Sequence, residues 1–237
     1  GGLYAEPFAG GAGAAVGLLV SGHVDRIAIN DGDLRVFAFW KSALTNTRKF
    51  IKRIETTPIT IDEWNRQREI YLNPSGKSQI AVGFAAFFLN RCNRSGILVN
   101  GGPIGGRHQS GPWRLDVRFN KVDLIRRIER LAEYGDRIQI FGEDAEVFVA
   151  RIPELAGNDP SLVYLDPPYF DKGRLLYMNH FKAEDHARIS RLVRGSELKW
   201  VMTYDDCSEI RLLYSWANCK RFSLKYSAYE SRAGGEL

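Results

Sequence analysis

The chain has 237 residues and a formal net charge of +5, and 44% of its residues are hydrophobic, which excludes a disordered chain. No apolar run approaches the roughly 18 residues of a membrane span, so we expect none. The three cysteines, Cys92, Cys207 and Cys219, show neither paired nor Cys-x-x-Cys spacing. We therefore expect no disulfide framework and no zinc site, and a reducing cytosol fits best.

The beginning of the chain predicts a β-α-β-α order. Apolar Leu3-Tyr4 leads into the turn Glu6-Pro7-Phe8-Ala9-Gly10-Gly11, and a run of Ala, Val and Leu follows to Val20. A second strand is predicted over 26–31 and a second helix over 34–43. This order is typical of the start of a parallel, doubly wound sheet.

Residues 48–130 interrupt this alternation and carry most of the positive charge. They include 16 Lys and Arg against 7 Asp and Glu, whereas the rest of the chain is net acidic. The segment mixes helical stretches with a Gly-rich loop at 100–107, and a short strand is predicted over 115–119. A basic segment in an acidic body indicates contact with a polyanion, although a solvated basic face explains the charge equally well.

The alternation resumes after residue 130. Strands are predicted over 137–141, 162–165, 199–203 and 220–224, and helices over 145–152, 182–193 and 209–216. The chain therefore predicts an α/β fold. Segments 1–47 and 131–237 form a doubly wound, mostly parallel sheet domain, and 48–130 forms a mainly helical insert.

Polar or glycine-rich residues follow four of the predicted strands, where parallel α/β sheets bind ligands. Glycines in the first turn let backbone approach a ligand closely, and Glu6 suits a cationic ligand. The turn is neither Gly-x-Gly-x-x-Gly nor a Walker motif, so a nucleotide phosphate is not expected. Asp31 is placed to accept from ribose hydroxyls, with Asp33 the better helix cap, and Asp144 suits an adenine amine or a helix cap equally well.

Asp166-Pro167-Pro168-Tyr169, directly after an apolar strand, is the most specific motif. The Asp166 carboxylate and the Pro167 carbonyl offer two acceptors on a rigid turn, because Pro168 has no N–H to occupy that carbonyl. Two acceptors match the two N–H groups of an exocyclic amine, and holding both directs the nitrogen lone pair out of ring conjugation. Tyr169 offers an aromatic face for a purine. The alternative is a proline-rich loop without a ligand.

These motifs and their order, with the insert between them, resemble Dam-type DNA adenine-N6 methyltransferases of the α group. Phe87-Phe88-Leu89-Asn90-Arg91 with Ser95-Gly96 resembles the start of the family's target-recognition region. The loop 100–106 and the segment 116–121 resemble a phage-like subgroup, and Asn30-Asp31 resembles the acidic ribose-binding motif. The resemblance covers nearly the whole chain, except the Gly-Gly-Lys-like segment that usually precedes the first strand. We expect the natural chain to extend beyond both ends.

The resemblance implies a Rossmann-like, DNA-binding methyltransferase that uses S-adenosylmethionine, releases S-adenosylhomocysteine and needs no metal. Its catalytic residues are Asp166, Pro167, Pro168 and Tyr169, which hold the target amine and stack on the target base. Its cofactor-binding residues are Glu6, Pro7, Phe8, Ala9, Gly10, Gly11, Asp31, Asp144 and Asp166. The expected DNA contacts are Arg91, Asn93, Arg94, Arg107, Arg114, Arg118 and Lys121.

The expected partner is double-stranded DNA, from which the target adenine is flipped out by an enzyme acting as a monomer. The resemblance also allows a companion restriction enzyme, and it places the protein in the bacterial or phage-infected cytoplasm, at the nucleoid. None of the four histidines shows ligand spacing, and His180 and His186 are predicted to lie on the surface.

Other activities stay open at this stage. Cytosine-N4 enzymes share the chemistry but favour Ser where Asp166 stands, and RNA adenine is an alternative substrate. A cytosine-C5 enzyme is disfavoured because no cysteine follows a proline. A catalytically inactive DNA-binding homologue conflicts with the intact Asp166-Pro167-Pro168-Tyr169. An unrelated nucleotide-binding α/β protein conflicts with the lack of phosphate motifs.

Overall fold

The structure, a computed structural model, describes residues 1–170, 181–226 and 232–236. The strands are β1 (Leu3–Glu6), β2 (Arg26–Asn30), β3 (Ile138–Phe141), β4 (Ser161–Leu165), β5 (Trp200–Met202), β6 (Phe222–Tyr226) and β7 (Arg232–Glu236). The helices are α1 (Gly13–Val20), α2 (Leu34–Thr45), α3 (Thr47–Thr56), α4 (Ile61–Leu72), α5 (Gln79–Cys92), α6 (Lys121–Ala132), α7 (Ala145–Ala156), α8 (Ala183–Arg194) and α9 (Ser208–Leu213). Short 3-10 turns lie at Arg94–Gly96 and Gly135–Arg137.

Five strands form one sheet in the order β3-β2-β1-β4-β5, and β6 pairs with β7 in a separate antiparallel ladder. β1 runs parallel to both β2 and β4, with Tyr4 opposite Ile27 on one side and Leu162 on the other. β4 runs parallel to β5. All four residues of β1 are buried, as expected of a central strand covered on both faces. The predicted Rossmann-like α/β fold is confirmed.

The strand predicted over 115–119 is wrong, because this segment forms turns. The backbone N–H groups of Val117 and Phe119 each donate to the carbonyl three residues earlier. Leu115 and Phe119 are buried, whereas Val117 is 47% exposed. The apolar residues therefore face the core at a spacing of four, and the alternation that suggested a strand included one exposed valine.

The chain divides into two compact units: unit 1, residues 1–31 and 143–237, and unit 2, residues 32–142. The predicted insert, 48–130, lies within unit 2, which also includes α2 and β3. Its assignment as the target-recognition domain stays a prediction.

In unit 1, helices α1 and α7 pack against β1. Leu19 of α1 and Phe148 and Ile152 of α7 are fully buried, and they form the apolar cover of the central strand. This packing fixes the position of β1 and leaves its carboxyl end available for polar residues.

Unit 2 is mainly helical and has an aromatic core. Phe50 of α3 contacts Phe84 and Phe87 of α5 with ring centroids 5.7 and 5.4 Å apart. Helices α2 and α5 approach so closely that a Cβ at Gly83 would lie 2.4 Å from the carbonyl oxygen of Ala38. Real Cβ atoms do not tolerate such a distance from backbone, so this helix contact requires glycine.

Gly83→Ala is expected to destabilise the protein by about 1–3 kcal/mol, because the added methyl group forces two helix backbones apart. The measurement is the urea denaturation midpoint. Gly17→Ala in α1 is the matched control, because its Cβ would meet no atom within 4 Å. Alanine there should leave stability unchanged or raise it through helix propensity. Equal midpoints for the two variants would contradict the close helix contact.

Candidate functional site

The carboxyl ends of β1, β2, β4 and β5 lie at one edge of the sheet because these strands are parallel. Glu6 ends β1, Asn30 ends β2, Asp166 follows β4 and Thr203 follows β5. Burial is the main cause that raises the pKa of Glu6, and the Asp166 carboxylate adds a smaller rise, so the two carboxyl groups interact. The structure thus brings together the predicted cofactor turn and the predicted catalytic motif.

Glu6 is an almost completely buried carboxyl group, 3% exposed. Its Oε1 accepts the backbone N–H of Ala15 in the first turn of α1 at 2.9 Å, and its side chain is hydrogen-bonded to Tyr4. Burial raises the pKa of Glu6 to about 7, and these two hydrogen bonds offset part of the rise. Glu6 therefore exchanges its proton near neutral pH, and a nearby cation would stabilise its ionised form.

Asn30 joins two loops at this edge through one buried amide. Its Nδ2 donates to the carbonyls of Pro7 at 3.0 Å and Glu143 at 3.1 Å, and its Oδ1 accepts from the Glu143 N–H at 2.9 Å. Its backbone carbonyl accepts from the Ala9 N–H at 2.8 Å. The turn after β1 and the loop before α7 are consequently held by the same residue.

The glycine turn is open on one side. The Gly10 N–H donates to Asp31 Oδ2 at 2.8 Å, and Gly10 has a left-handed φ of 47°. A Cβ at Gly10, Gly11 or Gly13 would meet no atom within 4 Å, so open space adjoins the turn. The turn therefore has room for a ligand, and the ribose contact predicted for Asp31 stays a prediction.

Asp144 caps helix α7. Its carboxylate accepts the Glu146 N–H at 2.9 Å, and Arg188 Nη2 lies 3.7 Å away. One of the two readings of Asp144 is thus present in the structure, while its contact with an adenine amine stays a prediction. The predicted cap at Asp33 is confirmed, because its side chain accepts from the Arg35 N–H at 2.8 Å.

Two hydroxyl groups form a chain of hydrogen bonds that ends at the Asp166 carboxylate. Thr203 Oγ1 donates to Asp166 Oδ1 at 2.8 Å and lies 3.0 Å from the Tyr164 hydroxyl. Because Thr203 has only one hydroxyl proton and gives it to the carboxylate, Tyr164 donates to Thr203. Tyr169 is also hydrogen-bonded to the Asp166 side chain. Sequence reasoning missed Thr203 and Tyr164, although Thr203 is the last residue of a strand predicted at the same edge.

The protein around the Asp166 carboxyl group controls its protonation. Asp166 is exposed as a residue, yet the surrounding protein displaces water from its carboxyl group and raises its pKa. The hydrogen bonds from Thr203 and Tyr169 lower that pKa in part. Such opposing effects are common at functional carboxylates.

Pro167 is buried at the turn that follows Asp166. Within residues 1–170, 181–226 and 232–236, no N–H donates to its carbonyl, and Pro168 has no N–H to offer. Among the described residues, no N–H thus occupies the Pro167 carbonyl, the second of the two acceptors predicted from sequence. Its role in holding an amine stays a prediction.

The predicted surface position of His186 is wrong, because this residue is 1% exposed. Its Nδ1 lies 2.7 Å from the Tyr204 hydroxyl, and its ring contacts Phe170 and Phe181 at centroid distances of 5.0 and 5.4 Å. Burial lowers its pKa. The Phe170 N–H donates to Asp205 at 2.9 Å, so this cluster supports the chain directly after Tyr169.

The error over His186 has a simple cause. His186 shares the buried face of α8 with Ile189, Ser190 and Val193, at helical spacing. A histidine on such a face is part of the core, which the spacing alone would have indicated. His180 lies outside the described residues.

The residues predicted to contact DNA in unit 2 differ in their solvent exposure and in the hydrogen bonds that they already form. Arg94, Arg107, Arg114 and Arg118 are exposed. Arg91 is half-buried and donates to the side chain of Asn90. Lys121 Nζ donates to two backbone carbonyls of unit 2, at 2.8 and 2.7 Å, and holds the start of α6.

Asn93 is 1% exposed and has a structural position. Its Oδ1 accepts from Trp64 Nε1 at 2.7 Å, and its Nδ2 donates to the Ile97 carbonyl at 2.6 Å. Because the side chain is buried and both ends of its amide are occupied, this geometry does not support the direct DNA contact predicted for Asn93. We assign it instead to positioning Trp64.

Within the described ranges, no three His, Cys, Asp or Glu side chains are grouped so that they could hold a metal ion. In the same part of the chain, no helix combines the length and the apolar character needed to cross a membrane.

Two comparisons with known proteins bear on this site. A search of curated proteins found no match. Residues 115–228, just under half of the chain, match the model of the D12 class N6 adenine-specific DNA methyltransferase family, and they include Asp166-Pro167-Pro168-Tyr169 and Thr203. Over these residues the chain is similar to the D12 class N6 adenine-specific DNA methyltransferases, a family of enzymes, and its five-stranded parallel sheet is consistent with a Rossmann-like methyltransferase fold.

Proposed function

We propose that the protein transfers a methyl group from S-adenosylmethionine to the N6 amine of adenine in double-stranded DNA, after flipping the base out of the helix. One observation carries the proposal. The acceptor pair of Asp166 and Pro167 lies on the sheet edge that also holds Glu6 and the open glycine turn. This edge offers acceptors for an amine beside a buried carboxyl group that favours a cation.

The residues of the first turn fit this cofactor. S-adenosylmethionine supplies a methyl group on a positively charged sulfonium. Open space beside Gly10 and Gly11 accommodates the methionine part, and the Glu6 carboxylate favours its positive charge. Asp31 accepts from the ribose hydroxyls, and Asp144 accepts from the adenine amine of the cofactor.

The residues after β4 hold the target. Asp166 and the Pro167 carbonyl accept the two amine hydrogens, which orients the nitrogen lone pair, and Tyr169 stacks on the base. Orientation of this kind supplies most of the rate when the electrophile is already reactive. Asp166 also stabilises the positive charge that develops on the nitrogen. Thr203 and Tyr164 keep the carboxylate in place through their hydroxyl chain.

DNA contacts offset the cost of base flipping, which is a few kcal/mol. The exposed arginines of unit 2, Arg94, Arg107, Arg114 and Arg118, are suited to phosphate contacts, and one of them is suited to a guanine. Action as a monomer, a companion restriction enzyme and a location at the bacterial or phage nucleoid stay predictions.

Asp166→Ala is expected to abolish methyl transfer to DNA while DNA binding changes little, because the side chain acts on the flipped amine. The assay measures transfer of a labelled methyl group from S-adenosylmethionine to DNA, followed by nucleoside analysis of the product. Asp166→Asn retains one acceptor oxygen but loses the charge, so its residual activity measures the electrostatic contribution.

The product identifies the reaction. N6-methyladenine supports the proposal, whereas N4-methylcytosine, or methylation of RNA alone, would replace it with a different amine methyltransferase. Joint loss of DNA binding and activity in Asp166→Ala would indicate a structural role for this residue.

Thr203→Val is expected to lower kcat by roughly tenfold or more, because a hydrogen bond to a charged group contributes about 1.5–3 kcal/mol. Valine has the shape of threonine but cannot donate to Asp166. Thr203→Ser restores the hydroxyl and should recover most of the activity. A similar loss in both variants would show that packing, and not the hydroxyl, matters at this position.

Glu6→Gln is expected to stabilise the protein at pH 8 by up to about 3 kcal/mol and to weaken cofactor binding. The pKa of Glu6 is about 7 in the fold against 4.5 for the free side chain, so the folded state holds a proton that the unfolded chain has lost. This contribution to stability is fully present below about pH 4.5 and is lost as pH rises through 7.

The measurement is the free energy of unfolding from pH 5 to pH 8 in the wild type and in Glu6→Gln. Glutamine keeps an oxygen for the Ala15 N–H, so the difference between the two proteins isolates the charge. Glu154→Gln, at an exposed position of α7, is the control and should follow the wild type. A Glu6→Gln curve parallel to the wild-type curve would contradict the buried titration.

A further inference from the structure

Unit 2 contains a polar cavity of about 220 Å³, whose lining includes Arg107, one of the arginines suited to phosphate contacts. Trp64 and Arg68 of α4 line one side, and the loop residues 99–103 together with Arg107 line the other. Sequence analysis singled out this Gly-rich loop and Arg107 but overlooked Arg68.

The cavity walls are fixed in position. Trp64 is 2% exposed, and its Nε1–H donates to Asn93, which in turn donates to the Ile97 carbonyl. The loop comes so close to itself that a Cβ at Gly101 would lie 2.0 Å from the Ile97 carbonyl oxygen. Helix α4 and the loop are therefore connected by buried hydrogen bonds, and the cavity does not depend on surface side chains alone.

Two positive charges share the Trp64 ring. The Cζ atoms of Arg68 and Arg107 lie 5.9 and 5.6 Å from its ring centroid, within the range of cation–π contacts. Neither guanidinium forms an ion pair with a carboxylate among the described residues, whereas Arg66 on the same helix pairs with Glu63 at 2.8 Å. Two like charges beside one ring repel each other, and a bound anion relieves that repulsion.

The size and chemistry of the cavity select the kind of anion. Pockets for whole small-molecule ligands usually measure about 300–1,000 Å³, so this cavity suits a small group. Trp64 is buried and cannot serve as a stacking surface for a base. Guanidinium groups match the oxygens of a phosphate in pairs. A single phosphate group satisfies all three conditions.

We propose that this cavity binds one phosphate of the DNA backbone and that Arg68 and Arg107 share it. The inference rests on the proposed function in one respect, namely that DNA is the substrate. A phosphate contact positions the duplex on unit 2 and carries no sequence information of its own.

The first test measures DNA affinity against salt concentration for Arg68→Gln, Arg107→Gln and the double variant. Each contacted phosphate contributes about 0.9 to the slope of log affinity against log salt. Because both arginines share one phosphate, the double variant should lose about 0.9 in total, and its affinity should fall roughly tenfold or more. The loss should be equal for DNA duplexes of different sequence.

Arg130→Gln is the matched control, because Arg130 is an exposed arginine of α6 outside the cavity. It removes one positive charge, as each single variant does, and should change the slope less than the double variant does. A loss of about 1.8 in the double variant would indicate two separate phosphates, and a loss confined to one DNA sequence would indicate a base contact. Either result, or an unchanged slope, overturns the proposal.

The second test separates the cavity from the enzymatic function. The wild-type protein is titrated with dimethyl phosphate, a phosphodiester monoanion, and the arginine Nε–H signals are followed by NMR. The Arg68 and Arg107 signals, identified from the two variants, should shift together, and the Arg130 signal should not. If these signals shift but the protein does not methylate DNA, the cavity binds phosphate and the proposed methyl transfer is wrong. If the protein methylates DNA but these signals do not shift, only the proposal that the cavity binds phosphate is wrong.

Discussion

The parallel pairing of β1 with β2 and β4 is the constraint on which the candidate site depends. Parallel strands end at the same edge, so residues that are distant in sequence become neighbours without any contact designed between them. Glu6 and Asp166 interact for this reason. An antiparallel β4 would place Asp166 at the opposite edge, and the turn proposed to bind the cofactor and the turn proposed to hold the target amine would no longer share a site.

Hydrogen bonds then fix what the sheet brings together. The Asn30 amide holds the loops on both sides of β2, and the Thr203 hydroxyl holds the carboxylate after β4. Burial raises the pKa of both Glu6 and Asp166, and a cation placed at this edge would stabilise their ionised forms. On the proposed function, the sulfonium of the cofactor and the amine under attack both carry or gain positive charge at this edge.

The sequence predicted the parts of the site that depend on local pattern. Glycine and proline restrict or permit particular backbone conformations, and carboxylates at strand ends mark the edge where parallel sheets bind ligands. The first turn and Asp166-Pro167-Pro168-Tyr169 could therefore be located from the sequence. Thr203 acts on Asp166, which lies 37 residues earlier in the chain, and the role proposed for Arg68 depends on its sharing the Trp64 ring with the distant Arg107. The burial of residues 115–119 depends on the turns and helices around them, which a short window does not contain, so the strand prediction there was wrong. The burial of His186 follows the helical spacing of α8 and could have been predicted from it.

The backbone contact at Gly83 has a consequence for how this protein can change in evolution. It sets the distance between α2 and α5 through buried backbone, without any exposed side chain of unit 2. Substitutions at exposed positions such as Trp113, Arg114 and Arg118 cost within about 0.5 kcal/mol in most proteins. Substitutions can therefore change what the surface of unit 2 binds while the buried core of the unit stays the same. Divergence between relatives should concentrate on that surface and spare the glycine beneath it.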